Sequence, residues 1–218
     1  MSLIGVRDAA ERLGVSPRRV LQRIEDGTLP SVRVGSQWAI DPAHLPLARG
    51  RPSRPLSAHM AWALLDYLDG GTPDVAPTER KRLHAYADRL RQADDPATLL
   101  RAWMEKRADR HEYRAAAADL DDLRDDERLL RSGASTEDSF IVSPVAEAYV
   151  AASDLDTVVD DYFLVPATRP DGNVILHVVA KIPARIAWPV LAADLAEHLG
   201  SRESARVAEL VRDRLPRE

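Results

Sequence analysis

Apolar positions recur at helical spacing in some stretches of the chain and alternate in others, and residues 1–48 show both patterns. Val6, Ala9, Ala10 and Leu13 share one helical face, with Arg7, Asp8, Glu11 and Arg12 on the other, so a short amphipathic helix ended by Gly14 is expected. Ser16 as N-cap and Pro17 at the first helical position open a second helix, with Val20, Leu21 and Ile24 as its apolar stripe and Gly27 as its stop. Val32-Arg33-Val34 and Trp38-Ala39-Ile40 flank Gly35-Ser36 and predict a hairpin. Asp41 and Pro42 start a last helical turn, from which Leu45 closes a small core.

Residues 49–56, with Arg49-Gly50-Arg51-Pro52-Ser53-Arg54-Pro55, are too rich in Pro and Arg for helix or central strand and are expected as an extended basic linker. Helical spacing then dominates residues 57–130. Ser57 caps a helix carrying Met60, Leu64, Leu65 and Leu68; Thr78 to Gln92 buries Leu83, Tyr86, Ala87 and Leu90; a broken helical stretch runs from Pro96 to Leu130. From Arg131 the pattern is mixed. Phe140-Ile141-Val142 is short and apolar, Ala148-Tyr149-Val150 has strand character, and Ser153 with Asp156 signals a helix through Asp161. Phe163 to Ala167 and Asn173 to Ala180 read as two strands joined across Pro170-Asp171-Gly172, and Val190 to Leu199 and Ser204 to Leu215 as closing helices. The expected fold is mainly α, α+β: an N-terminal winged helix-turn-helix, a helical middle, and a mixed C-terminal domain over residues 131–218.

Charge divides the chain. The overall net charge is −5, yet residues 1–56 hold nine Arg against five acids, and residues 57–218 hold 21 basic against 30 acidic side chains. The first part suits phosphate and the second repels it. The longest apolar runs fall short of the ~20 residues of a membrane span, no secretory signal is read, and a cytoplasmic, nucleoid-associated location is expected. The absence of cysteine excludes disulfides, thiolate nucleophiles and Cys-based zinc sites.

With Val20 and Ile24 turned inward, Arg18, Arg19, Gln22 and Arg23 share the opposite side of the second helix. Arg can bridge guanine O6 and N7, and Gln can bridge adenine N6 and N7, so these four are the expected base and phosphate contacts. Arg33, Ser36 and Gln37 on the hairpin are expected over neighbouring phosphate or minor groove. Arg49 and Arg51 extend the positive charge.

Ala9-Ala10-x-x-Leu13-Gly14-Val15-Ser16, Gly27-x-Leu29-Pro30 and Val34-Gly35-x-x-Trp38-x-Ile40 together resemble the excisionase-type winged helix of the MerR-like superfamily, over about residues 4–48. The resemblance implies DNA binding, with the second helix in the major groove and the wing against adjacent backbone. Arg49-Gly50-Arg51-Pro52 resembles the core of an AT-hook, which lies along an A·T-rich minor groove; the alternative is a plain solvated linker. Further on, Arg131-Ser132-Gly133-Ala134-Ser135, Tyr149-Val150-x-x-Ser153-Asp154-Leu155, Tyr162-x-Leu164, Gly172-Asn173-Val174 and Ala192-Ala193-Asp194-Leu195-Ala196 are similar to the C-terminal half of AbiEi-type antitoxins. That similarity implies autorepression and neutralisation of a cognate nucleotidyltransferase toxin.

Catalytic chemistry is not evident. The acidic run Asp119, Asp121, Asp122, Asp125, Asp126, Glu127 interleaves with Leu120 and Leu123 at helical spacing and reads as a solvated face. The six histidines show no ligand spacing, and Trp62 and Trp103 sit at apolar helix faces. A non-enzymatic regulator of double-stranded DNA with no cofactor is expected, as a possible homodimer: an antitoxin and autorepressor, or else a ligand-responsive transcription factor or an excision or partition accessory factor.

Overall fold

The computed structural model describes residues 4–13, 15–25, 29, 31–35, 37–40, 54–167 and 171–215. The chain is mixed α and β and divides into two compact units, residues 1–53 and 54–218.

Among its described residues the first unit has two helices, α1 (Val6–Leu13) and α2 (Pro17–Glu25), and three strands, β1 (Ile4–Gly5), β2 (Val32–Val34) and β3 (Gln37–Ile40). Its sheet is antiparallel in the order β1-β3-β2, with Ile4 opposite Ile40 and Arg33 opposite Trp38. The hairpin turn uses Gly35 at φ +61°, where any side chain is strained. Ala9, Ala10, Leu13, Val20, Ile24, Leu29 and Ile40 form the core, with Ile4, Val6, Val15 and Trp38 packed around it. The pattern thus predicts both helices and the hairpin; β1 is an addition. Gly14, Gly27, Ser36, the last helical turn at Asp41 and Pro42 with Leu45, and linker residues 49–53 lie outside the described residues.

The second unit is built on a five-stranded sheet in the order β5-β6-β8-β4-β7. Its strands are β4 (Asp109–Arg114), β5 (Leu129–Arg131), β6 (Ala146–Ala151), β7 (Val165–Pro166) and β8 (Val174–Val179). β6 and β8 are parallel neighbours and the other pairings are antiparallel. Side chains alternate across the two central strands. Ala146, Ala148, Val150, Val174, Leu176 and Val178 enter one core, shared with Leu123 of α6 (Leu120–Asp125) and Val158 of α7 (Leu155–Asp161). Tyr149 and Val179 enter the other, shared with the helices α3 (Ala58–Leu68), α4 (Pro77–Arg91), α5 (Pro96–Met104), α8 (Trp188–Glu197) and α9 (Ser201–Arg214).

Local signals set these helices. Ser57 Oγ accepts from Met60 N at 3.3 Å, Glu79 Oε2 accepts from Ala76 N at 3.1 Å, and Asp95 Oδ1 accepts from Thr98 N at 3.0 Å. Each satisfies an orphan backbone group, and Pro77 and Pro96 occupy first-turn positions where no N–H is needed. Leu64, Leu83, Leu100 and Trp103 are fully buried, each contributing ~1.5–3 kcal/mol through removal of apolar surface from water.

Two expectations are corrected. The broken helical stretch expected from Pro96 to Leu130 keeps α-helix at Pro96–Met104 and Leu120–Asp125, but Leu129–Arg131 is a strand beside β6 and Asp109–Arg114 is a strand flanked by β8 and β7. Its residues are nearly all polar, so sheet pairing rather than hydrophobic pattern decides it. The strands expected from Phe163 and from Asn173 do not pair with each other, because β4 lies between them. The short apolar triplet Phe140-Ile141-Val142 lies outside the strands: Phe140 takes a left-handed conformation and is 81% exposed under the Arg206 guanidinium, and Val142 is 99% exposed.

Candidate nucleic-acid interface

The turn into α2 is tied from both sides. Val15 N donates to Ala10 O at 3.0 Å, and Ser16 Oγ accepts from Arg19 N at 3.3 Å, which fixes the entry of the second helix against the first. Val20 is fully buried and Ile24 nearly so, and these two anchor the inner face. On the other face Arg18, Arg19 and Gln22 are exposed and Arg23 is half-buried. Arg19 Nη1 donates to Gln22 Oε1 at 2.8 Å, so a guanidinium and an amide, one turn apart, are held as a pair before any partner arrives.

On the hairpin, Arg33 and Trp38 are directly opposed in register, and the Arg33 guanidinium carbon lies 5.7 Å from the Trp38 ring centroid. A cation over an indole face within ~6 Å is attracted to it, and the exposed Arg33 is thereby aimed rather than loose. Gln37 is exposed beside the turn. Ser36, Arg49 and Arg51 lie outside the described residues.

A second concentration of polar side chains occupies the interior of the unit formed by residues 54–218. Asp194 on α8 accepts from Arg107 Nη2 at 2.6 Å, from Tyr149 OH at 2.7 Å and from Ser132 Oγ, and all four residues are buried. Arg107 also donates to Tyr149 OH at 3.0 Å and to Glu197. Glu147 on β6 meets His177 Nε2 at 2.9 Å and His198 Nε2 at 2.7 Å, one at each carboxylate oxygen, and Oε2 also accepts from Ala134 N at 2.9 Å. Burial raises the Glu147 pKa, but the two histidines outweigh it and hold the group below the ordinary carboxylate range. Burial pushes the Asp194 carboxyl up against the opposing charge of Arg107. Burial likewise raises the Tyr149 phenol.

The histidine spacing gave no hint of this cluster. The available signal is a lone polar residue inside an apolar run: Glu147 in Ala-Glu-Ala-Tyr-Val-Ala, His177 in Val-Ile-Leu-His-Val-Val, Asp194 in Ala-Ala-Asp-Leu-Ala. Among the described residues no group of three or more His, Asp or Glu side chains is placed to hold a metal ion. Nor is any helix among them long and apolar enough to cross a membrane. The acidic run is partly exposed and partly paired: Asp121 bonds Arg124, Asp125 bonds Arg131 and Asp126 bonds Arg128.

Residues 3–45 match the family model of a helix-turn-helix domain. The first unit carries such a domain. It points to a DNA-binding regulator rather than to an enzyme. No curated protein and no solved structure gives a match to the chain.

Proposed function

We propose that the chain is a sequence-specific transcriptional regulator whose first unit is a winged helix-turn-helix, with α2 in the major groove and the β2–β3 hairpin as the wing. The observation that carries this reading is the division of α2, with Val20 and Ile24 inside and Arg18, Arg19 and Gln22 outside. Arg19, Gln22, Arg18 and Arg23 take the base edges and flanking phosphates; Arg33, with Gln37 and Ser36, takes the backbone beside the groove; Arg49 and Arg51 add charge along the linker. A single unit of this size covers about half of an operator, so two copies bind half-sites ~34–36 Å apart.

The test is anisotropy titration of labelled duplexes from the upstream region at several salt concentrations. Gln22→Ala or Arg19→Ala lowers discrimination between operator and mismatched duplex by ~1–3 kcal/mol, whereas Arg33→Ala weakens all duplexes alike and flattens the salt slope by ~0.9. An absence of salt-dependent affinity for any duplex refutes the reading.

Within this role the second unit is read as the part that neutralises a nucleotidyltransferase toxin. Ser132, Tyr149 and Asp194, three of the residues that carry the likeness to AbiEi-type antitoxins, are not scattered but meet in one buried cluster, which favours a shared core over chance agreement. Co-purification with the product of a neighbouring nucleotidyltransferase gene tests it, and failure to associate removes the antitoxin role while leaving the DNA-binding role intact.

A further inference from the structure

The second unit contains a cavity of about 750 Å³ between the start of α3, the loop that leads into β4, and the segment after β8. That volume lies within the ~300–1,000 Å³ of small-molecule sites. One wall is apolar: Trp62, Val179, Ile182 and Pro183. The Trp62 indole is not free to turn, because its Nε1 donates to Arg107 O at 2.9 Å and its ring meets Tyr149 edge-on at 5.9 Å. A half-buried aromatic face, fixed and open to a cavity, is a stacking platform.

The rim carries the opposite chemistry. Lysine is scarce in this chain, three residues against 27 arginines, and two of the three, Lys106 and Lys181, line this one cavity. Both are exposed, and neither makes an ion pair among the described residues. Eight arginines of the same unit, Arg91, Arg107, Arg110, Arg124, Arg128, Arg131, Arg185 and Arg206, have carboxylate partners. Residues 57–218 hold nine more acidic than basic side chains, so two unmatched ammonium groups beside an aromatic wall run against the charge of their surroundings. Asp109 is the one acid on the cavity.

We infer that this cavity is a binding site for a small organic anion with a flat apolar body, its ring on Trp62 and its carboxylate, sulfonate or phosphate between Lys106 and Lys181. The inference stands apart from DNA binding and needs no DNA to test. The probe is 1-anilinonaphthalene-8-sulfonate, an aromatic anion whose emission rises when it leaves water, titrated into the full chain. One saturable site per chain is expected. Lys106→Gln with Lys181→Gln weakens it by about tenfold or more, as the loss of two charge-assisted contacts requires. Asp109→Asn tightens it, and the uncharged N-phenyl-1-naphthylamine shows neither effect. Both lysines are exposed, so the variants keep the fold, which far-ultraviolet circular dichroism verifies. Any of three results overturns the inference: no saturable binding, affinity unchanged in the double lysine variant, or loss of the dye on Phe163→Ser, which would place it on the exposed apolar surface around that residue.

Discussion

Removing the Asp194 carboxylate is the sharpest probe of the buried cluster. Asp194→Ala deletes the shared acceptor of Arg107, Tyr149 and Ser132, and the Arg107 and Asp194 side chains are 1% and 0% exposed, so water does not replace it freely. Arg107 retains Glu197 and the Met104 carbonyl, which spares it complete isolation. Breaking one partner of a buried pair costs ~3–5 kcal/mol, and each orphaned hydroxyl adds ~1–3 kcal/mol. Partial relaxation leaves an expected loss of ~4–6 kcal/mol, a large share of the ~5–15 kcal/mol that stabilises a domain. With a urea slope of ~2–3 kcal/mol/M the midpoint falls by about 2 M, read by circular dichroism on the intact chain. Arg107→Met combined with Asp194→Leu is expected to cost at least ~2 kcal/mol less than the two single changes added together, because charge and counter-charge leave at once. A loss below ~1 kcal/mol for Asp194→Ala, or strict additivity in the double variant, refutes the account of a coupled pair.

Other expectations follow from single contacts. Gly133 stands at φ +53°, and a Cβ there would run into the Glu147 carboxylate, so Gly133→Ala costs ~2 kcal/mol or more, and a neutral effect in urea melts contradicts this. Asp126 is held down from 3.8 to about 2, chiefly by its hydrogen bond from Arg128 acting against burial. A depressed carboxylate stabilises the folded state above its unfolded value and loses that contribution as pH falls through the folded one. Arg128→Ala should therefore lower the urea midpoint more at about pH 6 than at about pH 2, and an equal drop at both refutes the assignment. Trp38→Ala removes both core packing and the platform under Arg33, so it destabilises the first unit by ~3 kcal/mol and weakens binding to all duplexes as Arg33→Ala does; unchanged duplex affinity with the fold retained speaks against the aimed arginine.

The first unit is legible because its elements are short and each carries its own signal: Ser16 and Pro17 start α2, Val20 and Ile24 mark its inner face, and Gly35 turns the hairpin. What remained hidden is what depends on distant partners. β1 is two residues long and exists through Ile4 opposite Ile40, a pairing no local pattern announces. β4 hides for a different reason: Asp-Arg-His-Glu-Tyr-Arg has the composition of a solvated helix, and only its position between β8 and β7 makes it a strand. The buried cluster is partly legible, since Glu147, His177 and Asp194 each interrupt an apolar run, but their convergence needs the parallel register that sets Glu147 beside Ile175 and Tyr149 beside His177.

Within the proposed DNA-binding role, the Arg19–Gln22 contact bears on which base edges Gln22 meets most readily. One lone pair of its carbonyl oxygen already accepts from Arg19, so the Gln22 amide offers a base its NH2 freely and its acceptor only through the lone pair that remains. Adenine asks for both a donor and an acceptor, so a bidentate reading shares or gives up the internal bond, at up to ~0.5–1.5 kcal/mol. Guanine, presenting O6 and N7 as acceptors, and thymine O4 ask for no such surrender. In the proposed complex this sets an upper bound of about 2 to 12 in affinity on the bias of Gln22 toward keto-bearing positions.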